Sequence, residues 1–352
     1  MNLLKENIDQ QLIAAAQFIK DALQDEPDYV EIESEDDDRE TLVLDKKLKK
    51  LSFKEIPQIP FGGRVAAIDG GSATLLSARS FVLGVYRSGY VIFQNQKRVE
   101  EKINPIALEI LSYGNMEAKY KNAFFKLARE NPSETPEMSR ILDRLRLFSE
   151  WSLAVELVEK LNEGDVILID GSLRASIAPP YSFLNRLTQR AIEKKIHLVG
   201  VSKSSTLYWG KKSPLIPMVL KTAEKLGVDK SWYCLLTDVQ KEFENSNWFG
   251  VIYVSKLKGT ADFGFRVDVN RLDKVKPEII FSCLSELSSD PAFVGYPYPL
   301  AAIHNQVRIT PSEIEDIKNR LQSKALETGI SQADWDLLFA DFHHILNADL
   351  NR

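Results

Sequence analysis

Apolar residues in the first 26 positions recur at helical spacing (Leu4, Ile8, Leu12, Ala15, Phe18, Ile19, Leu23) and predict a helix that packs on the body or on a second subunit. From Arg64 the pattern changes. Arg64-Val65-Ala66-Ala67-Ile68-Asp69 reads as a buried strand, stopped by the turn signal Gly70-Gly71-Ser72. Phe81–Tyr86 and Tyr90–Gln94 predict two strands joined through Arg87-Ser88-Gly89 as an antiparallel hairpin. Residues 105–130 predict a helix, and Pro132 and Pro136 punctuate the chain after it. A long amphipathic helix runs from Glu137 to Leu161, ended by Asn162-Glu163-Gly164. Val166-Ile167-Leu168-Ile169-Asp170 is a continuous apolar run closing in Gly171-Ser172, as in a central parallel strand. A helix over Ser182–Lys195 and a strand over Ile196–Val201 complete a right-handed βαβ unit. Further on, the pattern predicts a helix near 214–226, strands near 249–255 and 263–269, and a helix around Pro277–Ser285. The loop Gly295-Tyr296-Pro297-Tyr298-Pro299 then leads into a helix containing His304, and helices near 311–325 and 331–347 finish the chain.

Composition narrows the class. Hydrophobic residues make up 44% and charged residues 27%, as in an ordinary globular protein. No apolar run approaches the roughly 20 residues that cross a bilayer, and the acid-bearing N-terminus is no signal peptide. Cys234 and Cys283 sit among apolar neighbours and read as reduced core thiols of a cytoplasmic protein. The net charge of −5 argues against a protein that coats nucleic acid by bulk charge, but it is compatible with a local basic groove beside an acidic site. Acidic residues concentrate in Glu31–Glu40, a solvated loop or a docking patch. At 352 residues the chain suits one large α/β domain or two tightly packed lobes. The expected division is an N-terminal helix and acidic loop over 1–60, a main domain over 61–310, and C-terminal helices over 311–352 packed on that domain or on a dimer partner.

Two strands end in nearly the same words, Ile68-Asp69-Gly70-Gly71-Ser72 and Ile169-Asp170-Gly171-Ser172. Strand ends of open α/β sheets are where ligands bind. Two converging carboxylates must take up a cation or share a proton, and hard ions such as Mg²⁺ or Mn²⁺ match their oxygens. The plainer alternative is that each aspartate caps the turn after it. Helical phase selects a third acid. Glu150 shares a face with Leu147, Ala154, Leu157 and Leu161, whereas Glu156 and Glu159 fall on the solvent side. An isolated buried charge is expensive, so Glu150 requires a shared metal or an ion pair with Arg144 or Arg146. His304 follows a rigid aromatic loop and is either a site residue or a satisfied histidine. Lys203, among Ser202, Ser204 and Ser205, either neutralises a phosphate or is merely solvated. His197 reads as structural, and His343 and His344 as poor site candidates.

The order of strand with Asp, hairpin, helix with Glu, strand with Asp and later helix with His resembles the ribonuclease H-like fold: a mixed central sheet flanked by helices, here with helical additions at both ends. The wording resembles the NurA family of nucleases. The pieces that carry this are Ile68-Asp69-Gly70-Gly71-Ser72, Arg146…Glu150…Ala154, Ile169-Asp170-Gly171-Ser172-Leu173, Gly200-Val201-Ser202-Lys203, and Gly295-Tyr296-Pro297-Tyr298-Pro299-Leu300 before His304. They span roughly residues 60–310. The family motif reads Asp-Gly-Ser, and Gly71 is an insertion into it. The resemblance implies a homodimeric, Mn²⁺-dependent 5′–3′ exonuclease and single-strand endonuclease that resects DNA ends with a HerA-type hexameric ATPase. It further implies Asp69, Glu150, Asp170 and His304 as metal-site residues, with Lys203 beside them. On a two-ion reading Asp69 bridges the ions, and His304 is a nitrogen ligand or a proton donor. Arg64, Arg174, Lys211 and Lys212 are candidate DNA contacts. Tyr208, Trp209, Tyr296 and Tyr298 either stack on unpaired bases or simply pack. Two rivals stand beside this reading. One is an ATP-binding enzyme of the actin and sugar-kinase type, with Asp69-Gly70-Gly71-Ser72 as its phosphate turn. The other is a non-catalytic scaffold that docks DNA or an ATPase.

Overall fold

The computed structural model describes residues 8–24, 30–32, 42–44, 51–78, 80–176, 178–203, 205, 207–209, 213–239 and 246–339. Most of the acidic loop, Ser204, Lys211, Lys212, His343 and His344 lie outside these residues, as does the far part of the helix expected over 331–347. In chain order the elements are α1 (Ile8–Gln24), β1 (Val30–Ile32), β2 (Leu42–Leu44), β3 (Phe53–Glu55), β4 (Arg64–Ser77), β5 (Phe81–Gln94), β6 (Lys97–Ile103) and β7 (Ala107–Ser112). Then follow α2 (Met116–Ala128), α3 (Met138–Lys160), β8 (Val166–Asp170), α4 (Tyr181–Glu193), β9 (His197–Ser202), β10 (Leu207–Trp209), β11 (Ser213–Pro214), α5 (Leu215–Lys225), β12 (Trp232–Thr237), β13 (Gly250–Lys256) and β14 (Phe265–Asn270). Helices α6 (Pro277–Glu286), α7 (Tyr298–Val307), α8 (Pro311–Glu327) and α9 (Gln332–Phe339) follow.

Ten strands form one sheet in the order β3-β12-β13-β14-β9-β8-β4-β5-β6, with β7 pairing the other half of β5. Strands β4, β8 and β9 run parallel, and their neighbours on both sides are antiparallel. The segment β6-β5-β4-β8-β9 is the mixed sheet expected of the ribonuclease H-like fold. A separate four-stranded sheet joins β11, β10, β1 and β2, so Glu31 and Ile32 belong to a strand rather than a loop.

Side chains of a strand alternate between faces, and the core divides accordingly. Ala66, Ile68, Ile167 and Ile169 pack beneath α2, α3 and α4, together with Phe148, Ala154 and Leu187. Val65, Ala67, Val166 and Leu168 pack on the other face with Phe281, Leu300 and Ile303 of α6 and α7. Both faces of the parallel strands are therefore dry, which is why Val166–Asp170 contains no polar residue before its last. Helix α8 starts with a capping box formed by Thr310 and Glu313, and its Ile314, Ile317 and Leu321 cover Leu75, Leu83 and Val85.

Three expectations need correction. Gly70-Gly71-Ser72 is not a turn, and neither is Arg87-Ser88-Gly89. The two runs lie opposite one another inside a single ladder that continues from Arg64↔Gln94 to Ser77↔Val82. The real turn at the far end of β5 is Asn95-Gln96, both residues left-handed at φ 49 and 60. The helix expected over 105–130 begins only at Met116, because Ala107–Ser112 completes the sheet edge against Phe81–Tyr86. Strands β3, β6, β10 and β12 were absent from the sequence-based expectation.

Behind the carboxyl end of β8 lies a fully buried ion pair. Asp268 accepts hydrogen bonds from Arg266 at 2.8 and 2.5 Å and from the Leu173 amide at 3.0 Å, while the Arg266 guanidinium lies 4.5 Å from the Trp248 ring centre. It ties the segment after Asp170 to β14. Removing one partner of such a pair strands the other charge in the core. Asp268→Ala is therefore expected to lower stability by about 3–5 kcal/mol in urea unfolding, and a loss below about 1 kcal/mol would refute this role for the pair.

Candidate metal centre

The pairing Ile68↔Ile169 sets Asp69 of β4 beside Asp170 of β8 at the same end of two parallel strands. By strand parity both carboxylates fall on the face covered by α7, the helix that carries His304. Asp69 is buried; its Oδ1 accepts from the Gly70 amide at 2.7 Å and its Oδ2 lies 2.8 Å from Nδ1 of His304. Asp170 is half-buried and accepts from Lys203 Nζ at 2.6 Å. One ligand atom from each of Asp69, Asp170 and His304 falls within 4.8 Å of the others. His304 remains half exposed, so the group opens to solvent.

Glu150 approaches from the opposite face, on α3. It is ion-paired with Arg146, which also binds Asp143 at 2.8 Å. The pairing partner is thus Arg146 rather than Arg144. The Glu150 carboxyl is raised to about 8, first by burial and further by Asp69 and Asp170, with the Arg146 guanidinium opposing the rise. Burial raises Asp170 as well, with Lys203 opposing and Asp69 adding to the rise. Glu156 and Glu159 are the exposed acids expected, paired with Lys102 and with Arg190 and Lys194.

The two glycines after Asp69 explain how helices reach this point from both sides. A side chain at Gly70 would strike the Glu150 carboxylate and come within 3.0 Å of Arg146 Cγ. A side chain at Gly71 would strike the Val307 carbonyl and come within 2.9 Å of Arg308 Cα, at the end of α7. Arg87, opposite Gly71 in the ladder, fastens the same corner by donating to Val307 O at 3.0 Å and pairing with Glu313 at 2.8 Å.

A family match decides what this domain is. The sequence model of the NurA domain matches residues 63–208. That stretch is similar to the NurA domain. Within it lie Asp69, Glu150, Asp170 and Lys203, and His304 comes from the chain beyond it. No curated protein matches the chain. Among solved structures, the NurA nuclease from Sulfolobus solfataricus is similar at 18% identity and a TM-score of 0.53, over 92% of this chain and 95% of that one. Endonuclease V of Ciona intestinalis, solved with DNA containing an inosine, is similar at 12% identity and a TM-score of 0.38, over 87% and 99%. At 18% identity the likeness to the Sulfolobus protein is one of fold.

The donor set fits a divalent cation. Two carboxylates and an imidazole converge on one face of the NurA domain. Three carboxylates (Asp69, Glu150, Asp170) face two cationic side chains (Arg146, Lys203), so the site carries uncompensated negative charge when all are ionised. The structure also sorts the aromatic candidates. Trp209 is fully buried, Tyr208 is half-buried, and Tyr298 packs edge-on to Phe93. Tyr296 packs against Phe265 with Lys203 above its ring, and its hydroxyl is buried with no hydrogen-bond partner. Arg64 pairs with Asp165 at the opposite end of β4, and Arg174 lies on Trp248, so neither is at the cluster. His197 pairs with Asp273 at 2.6 Å in a structural role, and both cysteines are buried. Sequence reading passed over the exposed rings of Phe263 and Phe293 near Lys203 and His304, because nothing periodic marks an aromatic residue in a loop.

Two outcomes are expected. Glu150 holds its proton in the folded protein up to about pH 8 but only to about 4.5 when unfolded. It therefore stabilises the fold at low pH, and that contribution is lost as pH rises through about 8; Asp170 acts in the same direction. Urea unfolding in EDTA should show stability falling between pH 6 and pH 9, with a shallower fall in Glu150→Gln; identical profiles would contradict this. Gly71→Ala should push the end of α7 away from β4, lower stability by about 1–3 kcal/mol, and perturb the His304 ring resonances. Unchanged resonances would show that Gly71 does not seat the helix.

Proposed function

We propose that this protein is a divalent-cation-dependent deoxyribonuclease in which Asp69, Asp170 and His304 hold the ion. The observation that carries the reading is the convergence of two strand-end carboxylates and an imidazole at one point of a NurA domain. The likeness along nearly the whole chain to a NurA nuclease supports it. The bound cation would supply an activated water and a counter-charge for the developing phosphorane. An imidazole donor favours Mn²⁺, with Mg²⁺ as the alternative.

The chain's own groups have separable tasks. Asp69, hydrogen-bonded by the Gly70 amide and by His304, is the fixed carboxylate and would be the principal oxygen ligand of the ion. With Nδ1 turned to Asp69, His304 would present Nε2 to the ion as its nitrogen ligand. Lys203 holds Asp170 and offsets charge on the scissile phosphate. Glu150 completes the set from the other face once its proton is displaced, with Arg146 as its counter-ion.

On the resemblance to the NurA family, the activity is 5′–3′ exonucleolytic and single-strand endonucleolytic. Its substrates are single strands and duplex ends, and its role is double-strand break end resection in the cytoplasm, as a homodimer working with a HerA-type hexameric ATPase. The kinase-like alternative loses its phosphate turn, since residues 69–72 lie inside β4. Incubation of the protein with end-labelled single- and double-stranded DNA in Mn²⁺, Mg²⁺ or EDTA tests the reading. Shortening in Mn²⁺ that disappears in EDTA and in Asp69→Ala is expected. Cleavage that survives in Asp69→Ala would overturn the assignment.

A further inference from the structure

We propose that the cleft beside Lys203 and His304 is a base-binding subsite for single-stranded DNA, with Phe263 and Phe293 as its stacking surfaces; the proposal rests on the nuclease reading. The cleft has a volume of about 760 Å³ and shares Lys203 and His304 with the carboxylate cluster, so whatever fills it abuts the reacting phosphate. Its other walls are mainly apolar, with Thr260, Asp262 and Asn305 as the polar exceptions. Phe263 is 68% exposed, Phe293 39% and Val294 38%. Large apolar side chains grouped in the open beside a charged site mark a binding surface rather than a core.

A second cleft, of about 740 Å³, also opens on Lys203 and Phe263 and carries Lys221 and Lys256 along with Glu224 and Asp262. Phe263 therefore belongs both to an apolar cleft that meets the cluster and to a neighbouring cleft that holds three lysines and two acids. This pairing of exposed aromatic rings with neighbouring lysines suits a single strand. Its phosphates follow the lysines, and its bases, freed from a duplex, offer π-faces to aromatic rings without regard to sequence. Paired bases are stacked within the helix and cannot enter. The subsite thus assigns to this face the unpaired nucleotides flanking the scissile phosphate.

Fluorescence anisotropy with the full chain in Ca²⁺ tests this, comparing an oligothymidylate dodecamer with an abasic dodecamer of the same phosphate spacing. Base stacking contributes about 1–3 kcal/mol per base, so the wild type should prefer the oligothymidylate at least about tenfold. The doubly substituted protein, Phe263→Ala with Phe293→Ala, should bring that preference to within about threefold while leaving abasic binding unchanged. Both rings are exposed, and thermal melting of the variant checks that the fold is retained. A wild type without base preference, a preference retained in the variant, or an equal loss for both oligomers would each overturn the subsite. Binding of neither oligomer would also overturn it. Mn²⁺-dependent cleavage by the wild type is measured alongside. Base-dependent binding without cleavage sinks the nuclease reading alone, and cleavage without base dependence sinks the subsite alone.

Discussion

The arrangement depends on the parallel pairing of β4 with β8. Four residue pairs, Val65↔Val166 to Ile68↔Ile169, fix which face each later residue occupies. A slip of one residue would turn Asp170 from the face of α7 to the face of α3, away from His304. What prevents the slip is burial on both sides. Ile167 and Ile169 are needed under α3 and α4, and Val166 and Leu168 are needed under α6 and α7. The hydrophobic demand of two separate helix layers thus places two carboxylates within reach of one ion.

That placement creates an electrostatic problem, and the surrounding residues answer only part of it. Arg146 offsets Glu150 and Lys203 offsets Asp170, each through a direct ion pair. Among the described residues Asp69 has hydrogen bonds from the Gly70 amide and the His304 ring but no direct ion pair with Arg or Lys. The upward displacement of Glu150 and Asp170, caused first by burial and then in part by the neighbouring carboxylates, records the imbalance. A short distance away, Arg266 and Asp268 face the same cost of buried charge and meet it fully, through two mutual hydrogen bonds and the Leu173 amide. The contrast is between a closed structural pair and a cluster left open to solvent.

How far the sequence revealed this depends on how strongly each position is constrained. Val166–Asp170 is apolar on both faces, so its burial is legible without knowing its neighbours. Glu150 was legible from helical phase, because the stripe of leucines on α3 is long enough to define an inner side. Strand β6, with the sequence KRVEEKI, sits at an exposed edge where charged side chains suffice, and so it carries no apolar signature. In β7 the outward residues Leu108 and Ile110 are apolar, and the run Ala107–Ser112 reads as easily as helix. Gly70-Gly71-Ser72 failed for another reason. Glycine usually announces a turn, but here it announces backbone approached closely from both faces.

The inserted Gly71 then acquires a structural meaning. Against the family wording Asp-Gly-Ser, one extra residue leaves Asp69 where it was and moves the serine to position 72. Alternation puts position 71 on the face of Asp69 and position 72 on the face of Gly70. Gly71 therefore sets a bare backbone on the side of the cluster. The end of α7 closes onto that backbone, with Val307 and Arg308 in the space a side chain would take. Arg87 grips the same carbonyls from β5, and His304, one turn earlier on the helix, is thereby held against Asp69. A side chain at position 71 would compete with Val307 for that space and would push the helix that carries His304 away from Asp69.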